Sequence, residues 1–367
     1  ASGDSIDVLM RFAGCLLLGL LFRAGGQPGS FVISEERDLN LSRRVLAGAT
    51  RLCRVVASSS GARCCAGSGA SGQCYDSAAQ WSLCCLRDRC PAAAVAWPTV
   101  RPITRAAGPV LCLRPVDWID RKIMSLHYWP DCVILDIILL RLAEGLEACS
   151  ERSLLDVGGN VGACGLLASS AGWNVTFLEP SPEHVSLLSA SAAINGHSVT
   201  IVRGAAVALP AGAVHLSPLD KSLTGTLSLA SNVSAAPGAV EAPALRIDDL
   251  PLVPLGGLKI DIEGYEGPAL RGARQLFRDE RRRPNFVLFE QSARHTLRHK
   301  LDPGLPFRFL ISHGYRLFEV HEWPDVFLSR ELTSVSQLES STDYNILAIH
   351  SVCVGHFASA LSLPLHG

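Results

Sequence analysis

Between Ser153 and Glu290 the chain repeats one unit: a short apolar run, usually closing on an acid, followed by a stretch with helical spacing. The runs are SLLDV (153–157), NVTFLE (174–179), SVTIVRGAAV (198–207), GLKIDI (257–262) and NFVLFE (285–290). Between them, residues 162–171, 182–194 and about 267–277 place apolar side chains at helical intervals, as does 132–146 before the first run. GYRLFEV and DYNILAIH read as a closing pair of strands. Strands alternating with helices form a parallel sheet covered on both faces, so an α/β domain is expected over 117–352, with 353–367 as a tail.

The acids are informative because of where they fall. Asp156, Glu179, Asp261, Glu263 and Glu290 sit at or just beyond the carboxyl ends of the predicted strands. Open parallel sheets bind ligands in the crevice at those ends. Lys259, Asp261 and Glu263 alternate, putting three charges on one side of a strand, which a covered strand does not tolerate without a purpose. An edge strand with a wet face is the bland alternative. The apolar Leu258, Ile260 and Ile262, with a further strand and helix after them, favour a central one.

The turn after the first strand narrows the ligand. Asp156-Val-Gly158-Gly159-Asn160-Val-Gly162 lets the backbone bend sharply and approach a bound molecule. Glu179 then ends the second strand, where a carboxylate can accept hydrogen bonds from a ribose diol. Nicotinamide and S-adenosylmethionine sites share this plan. The dinucleotide turn, however, needs G-x-G-x-x-G to rest a pyrophosphate on a helix start. An acid at 156 repels a pyrophosphate and attracts the ammonium of a methionine moiety, so the methyl donor fits better.

These stretches, LLDVGGNVGACGLL, FLEPSPEHVSLLSASAAIN, LKIDIEGYEGPALRGA, VLFE and YNILAI, resemble the FkbM-type methyltransferases in the correct order over roughly 117–350. Lys259-Ile-Asp261-Ile-Glu263-Gly264-Tyr265-Glu266 is the most specific part. The resemblance implies a Rossmann-like, seven-stranded, mostly parallel sheet. It also implies methyl transfer from S-adenosyl-L-methionine, usually to a hydroxyl of a sugar or other small or glycan acceptor. Ala208 and Leu209 depart from it, because many relatives carry a polar residue there.

For such chemistry the cofactor-binding candidates are Asp156, Gly158, Asn160, Gly162 and Glu179. The catalytic candidates are Asp261, Glu263, Lys259 and Glu290. A hydroxyl is a weak nucleophile, and a base is needed among Asp261, Glu263, Glu290 and His295, Asp261 first. Lys259 either holds that carboxylate ionised or is simply its buried partner. Glu263 and Glu266 orient substrate hydroxyls, unless Glu266 merely starts the next helix. Glu290 has a bland reading as the ion partner of Arg294, and Tyr265 as core. His127 and His321 are further candidates. Three carboxylates near one another leave a catalytic metal possible, but no His–carboxylate spacing demands one, and no metal ligands are assigned. Specificity is expected in 208–245, rich in Ala, Ser, Pro and Gly. A nicotinamide-dependent oxidoreductase and a catalytically degenerate binding module remain the alternatives.

The amino-terminal third is built differently. Residues 1–116 hold 13 Arg, no Lys and 7 acids, and seven of the 13 cysteines fall between Cys53 and Cys90. Residues 1–26 include an Arg followed by eleven mostly apolar residues, too short to span a bilayer but suited to a secretory signal. Any membrane association would pass through this segment alone. Residues 27–116 read as a disulfide module or a linker, the Pro/Ala-rich 91–116 as linker; zinc lacks its CxxC pairs. A secretory or extracellular location is expected, with an organellar or cytoplasmic one as the alternative. Asn40, Asn174 and Asn232 head glycosylation-type tripeptides. Arg281-Arg282-Arg283 reads as a solvated turn, so no nucleic-acid partner is expected. The sequence leaves the oligomeric state open.

Overall fold

The computed structural model describes residues 86–361, apart from 87–88, 105, 144–148, 150, 211, 219–226, 230–238, 322–326 and 339–341. The leader, the cysteines from Cys53 to Cys85, Asn40 and Asn232 therefore lie outside the described residues. No described helix is long and apolar enough to cross a membrane.

The centre is an eight-stranded sheet. Its strands are β3 (Ser153–Val157), β4 (Asn174–Glu179), β5 (Thr200–Arg203), β10 (Gly257–Ile260), β11 (Phe286–Ser292), β12 (Tyr315–His321), β13 (Phe327–Leu332) and β14 (Asp343–His350), in the order β13-β12-β14-β11-β10-β3-β4-β5. The five strands from β11 to β5 are parallel and the other three antiparallel. This is the expected Rossmann-like α/β architecture with one more strand than the seven anticipated, the antiparallel β13 closing an edge. β10 is central, hydrogen-bonded to β3 on one side and β11 on the other, so the edge-strand alternative falls. The chain runs outward from β3 to β5, then returns to lay β10 on the other flank of β3. That reversal opens a crevice at the carboxyl ends of β3 and β10.

Period-2 alternation decides which helices cover which face. Phe286 and Leu288 of β11 enter one core, with Leu154, Val175 and Phe177. Val287 and Phe289 enter the other, with Leu155, Val157 and Leu258. The first face is covered by α1 (Trp118–Leu126), α2 (Cys132–Ala143), α3 (Ala163–Ser170), α4 (Pro182–Asn195) and α9 (Ser351–Leu361). The second is covered by α5 (Glu266–Arg271), α6 (Arg274–Arg278) and α8 (Leu305–Ser312). A single helix was expected over 267–277. It breaks because the Asp248 carboxylate accepts from the Gln275 and Leu276 amides, 2.9 and 2.8 Å, and starts a new helix there.

Three further expectations are corrected. Residues 91–116 are no linker. They form the hairpin β1 (Val95–Val100) and β2 (Ala107–Leu113), with Leu111, Cys112 and Leu113 in the core. The hairpin is fixed to α4, because Cys112 N–H donates to Ser191 Oγ and Val110 N–H to Asn195 Oδ1, both 2.8 Å. Nor does the tail begin at 353, since Cys353, Val354 and Phe357 of α9 are buried. The third strand does not run from 198 to 207. It stops at Gly204, where a Cβ would fall 2.5 Å from Leu245 Cδ1, and the chain crosses into a second sheet. That sheet has the order β6 (Ala205–Ala206), β9 (Val240–Leu245), β7 (Ala213–Pro218), β8 (Leu227–Leu229).

Three disulfides join elements that the sequence treats separately: Cys90–Cys112, Cys132–Cys164 and Cys149–Cys353. The first ties the start of the described chain to β2. The second links the first residue of α2 to α3. The third joins α9 to the segment before β3.

Candidate active site

A cavity of about 600 Å³ lies in the crevice at the switch between β3 and β10. Asp156, Gly158, Asn160, Glu179, Lys259, Asp261, Glu263 and Glu290 all line it, as does His295. The carboxyl ends of four strands thus converge on one space, as the positions of the acids predict. Gly162 does not line it. Its role is packing, since a Cβ there would fall 2.3 Å from Leu188 Cδ1. Gly158 is indispensable in another way: its φ is +80°, and a Cβ would lie 2.0 Å from the Asp261 carbonyl oxygen. The turn after β3 therefore rests directly on the end of β10.

Glu179 is buried and already engaged. Its Oε2 accepts from Asn160 N–H at 2.8 Å and its Oε1 from Ser181 N–H at 2.9 Å. His184 Nδ1 stands 3.3 Å from the same Oε1. Burial by itself pushes the His184 pKa down, but the hydrogen bond and charge of Glu179 outweigh it, and the pKa ends raised. Behind His184, Arg114 gathers Asp117 at 3.6 Å, Asp120 at 3.8 Å and, more closely, Glu183. Asp120 is pushed up to about 7, by burial first and then by the charge of Asp117. A buried polar network thus fixes the carboxylate that ends β4.

Lys259 is 6% exposed in a central strand, and two carboxylates share its ammonium. Its Nζ lies 3.5 Å from Asp156 Oδ1 and 3.3 Å from Asp261 Oδ2. Burial alone lowers its pKa, but the charges of Asp156, Asp261 and Asp131 raise it above the ordinary lysine value. Burial raises the Asp156 pKa, and Lys259 only partly offsets this. Asp156 Oδ1 is also a buried atom without a hydrogen bond of acceptable geometry. The Asp261 side chain, 28% exposed, is the member of this chain that opens to the cavity.

Glu263 has φ +58° in the loop after β10, and its Oε2 lies 2.8 Å from His295 Nδ1 on α7 (Ala293–Arg298). Glu266 lies outside the cavity. Its Oε1 accepts from Ile262 N–H and Gly264 N–H at 3.1 and 3.2 Å, closing the loop that presents Glu263. Burial pushes its pKa up to about 7. Glu290 pairs with nothing among the described residues, and its pKa is raised well above the ordinary value. Burial is the main cause, followed by Asp261, Glu263, Glu266 and Asp131. The expected Arg294 partner is engaged elsewhere, on Asp343 at 3.1 Å. Tyr265 lines the cavity edge-on to His299, ring centroids 4.6 Å apart. His127 caps α1 against Trp97, away from the cavity; the His321 side chain lies outside what the structure describes.

Several lining residues carried no signal in the sequence. Trp118 and Trp129 meet edge to face at 6.1 Å, with Lys122 Nζ 5.1 and 4.8 Å from their rings. Asp131, whose pKa is raised by burial and then by Asp261, completes this wall. All four precede β3 by more than 20 residues, so only the tertiary fold brings them in. Ala205, Ala206 and Leu216 of the second sheet form the wall opposite, which gives the 208–245 insertion one described cavity residue.

Comparison with known proteins adds the following. Residues 156–317 match the family described as the Methyltransferase FkbM domain. No curated protein matches the sequence. Among solved structures, the chain is similar to a methyltransferase FkbM from Methylobacillus flagellatus KT. The identity is 20%, covering 54% of this chain and 43% of that one, with TM-score 0.33. It is also similar to a precorrin-6y C5,15-methyltransferase from Geobacter metallireducens GS-15, at 15% identity, 58% and 85% coverage and TM-score 0.30. A magnesium protoporphyrin IX methyltransferase from Synechocystis PCC 6803, with bound SAM, is similar at 11% identity, 64% and 85% coverage and TM-score 0.34.

Proposed function

We propose that the chain transfers a methyl group from S-adenosylmethionine to a hydroxyl of a polyhydroxylated acceptor, a sugar or glycan, a reading supported by the match of residues 156–317 to the Methyltransferase FkbM domain. The observation that carries this reading is the convergence of the glycine turn, Glu179 and Asp261 on one cavity. The residues fit the donor. Gly158 and Gly159 line the cavity with bare backbone, and Asn160 N–H fixes the Glu179 carboxylate for a ribose diol. Asp156 and Asp261 are two carboxylates against the single ammonium of Lys259, a deficit that suits a ligand bearing sulfonium and ammonium charges.

The bound donor supplies a methyl carbon on positively charged sulfur. The glycine turn and Glu179 would hold the donor so that this carbon passes to the acceptor oxygen as the carbon–sulfur bond breaks, its electrons staying with sulfur. Asp261 takes the hydroxyl proton, with the Lys259 ammonium 3.3 Å from its Oδ2. Trp118 and Trp129 offer apolar faces to the ring of a sugar, while the acids around them accept from its hydroxyls. Holding both reactants in line accounts for much of the rate, up to roughly 7–11 kcal/mol of the barrier.

Among the described residues three disulfides pair Cys90, Cys112, Cys132, Cys149, Cys164 and Cys353, and such bonds persist in oxidising compartments. They support a secretory or extracellular location. Calorimetric titration with S-adenosylhomocysteine and with NADH tests the activity. The expected result is saturable binding of the nucleoside and none of NADH; the reverse overturns the reading.

A further inference from the structure

Three side chains that line one part of the cavity have no partner outside their own group among the described residues. Glu263 follows β10, Glu290 lies in the last part of β11, and His295 sits in the first turn of α7. One ligand atom from each can be chosen so that all lie within 4.8 Å of one another. Glu263 Oε2 and His295 Nδ1 are buried atoms 2.8 Å apart, yet neither makes a hydrogen bond of acceptable geometry. Glu290 has no hydrogen bond or ion pair among the described residues, because Arg294 is held by Asp343 and Lys259 by Asp156 and Asp261. The fold holds the group together. Gly264 packs so closely on α7 that a Cβ would fall 2.6 Å from the His295 carbonyl carbon.

We infer that Glu263, Glu290 and His295 bind a divalent metal ion whose open positions take the acceptor's hydroxyl oxygens. Two carboxylates and one imidazole suit Mn²⁺, Fe²⁺ or Zn²⁺, and three protein ligands leave room for substrate. With bonds of about 2.1 Å the ligand atoms of a tetrahedral or octahedral shell stand roughly 3–3.5 Å apart. The Glu263–His295 pair is already at 2.8 Å, and ligand atoms of all three side chains lie within 4.8 Å of one another. The metal's use in catalysis rests on the methyl-transfer reading. A cation on the acceptor oxygen lowers the pKa of its hydroxyl, which lets so weak a base as a lysine-paired carboxylate accept the proton.

The test uses the full chain, stripped with EDTA and dialysed, and titrated with MnCl₂ while unbound Mn²⁺ is followed by electron paramagnetic resonance. S-adenosylhomocysteine affinity is measured in parallel by calorimetry. The expected result is one Mn²⁺ per chain. Glu290→Gln and His295→Ala should each weaken Mn²⁺ at least tenfold while leaving S-adenosylhomocysteine affinity within threefold and the circular dichroism melt unchanged. Absence of Mn²⁺ binding to a wild-type protein that binds S-adenosylhomocysteine overturns the inference, as does wild-type Mn²⁺ affinity in either variant. A protein that binds Mn²⁺ at these residues but not S-adenosylhomocysteine keeps the metal site and loses the donor reading instead.

Discussion

On the proposed methyl transfer Asp261 and Glu179 have different roles, and substitutions separate them. Asp261 opens to the cavity beside Lys259. Asp261→Asn is therefore expected to bind S-adenosylhomocysteine like the wild type while losing roughly 10² to 10⁴ in turnover, the usual contribution of a positioned base. Single-turnover methyl transfer, with calorimetry as the control, checks it; unchanged turnover would remove Asp261 from the mechanism. Glu179→Gln should do the opposite. Hydrogen bonds to a charged group contribute about 1.5–3 kcal/mol each, so loss of the charge is expected to weaken the nucleoside about ten- to a hundredfold. The sequence announces both residues because each closes an apolar run. It announces neither Asp131 nor Trp129, which lie just before α2 and join Asp261 in lining the cavity only in three dimensions.

Between β2 and α4 the buried network around Arg114 carries a pH dependence. Asp120, raised to about 7 from an ordinary 3.8, holds its proton more tightly in the folded chain than in the unfolded one. Its contribution to stability is thus full below about pH 4 and is lost as pH rises through about 7. Asp120→Asn should consequently gain on the wild type between pH 5 and pH 8, by roughly 2–4 °C in melting temperature for each kcal/mol recovered. Melting curves at the two pH values decide the matter; an equal difference at both would show that Asp120 does not titrate there. The elements themselves were largely legible: β3, β4 and α4 stand where periodicity puts them. The misses share one cause. The β1–β2 hairpin, the α5–α6 break and the β5–β6 break are each set by a partner distant in sequence: Ser191, Asp248 and Leu245.

At the scale of the described chain the disulfides tie its covering elements to one another and to the segment entering β3. Cys149–Cys353 spans 204 residues and joins α9 to the segment entering β3; Cys132–Cys164 anchors α3 directly after the glycine turn. A native disulfide contributes about 2–4 kcal/mol. Reduction in native buffer is therefore expected to lower the melting temperature by at least about 10 °C. Alkylation mapping before reduction should leave Cys90, Cys112, Cys132, Cys149, Cys164 and Cys353 unlabelled. Labelling of these six in the native protein would count against the oxidising location.

The amino-acid order alone determined the parallel αβ core and the convergence of acids at its carboxyl edge. Strand periodicity, the glycine turn and terminal acids are local signals that follow from backbone geometry and from the cost of burying charge. Only the tertiary structure decided the company those acids keep: Lys259 shared by Asp156 and Asp261, Glu290 left without Arg294, and Glu263 drawn onto His295. Those pairings join loops and strands far apart along the chain. Electrostatic interaction depends on separation in space and on burial, and the fold sets both.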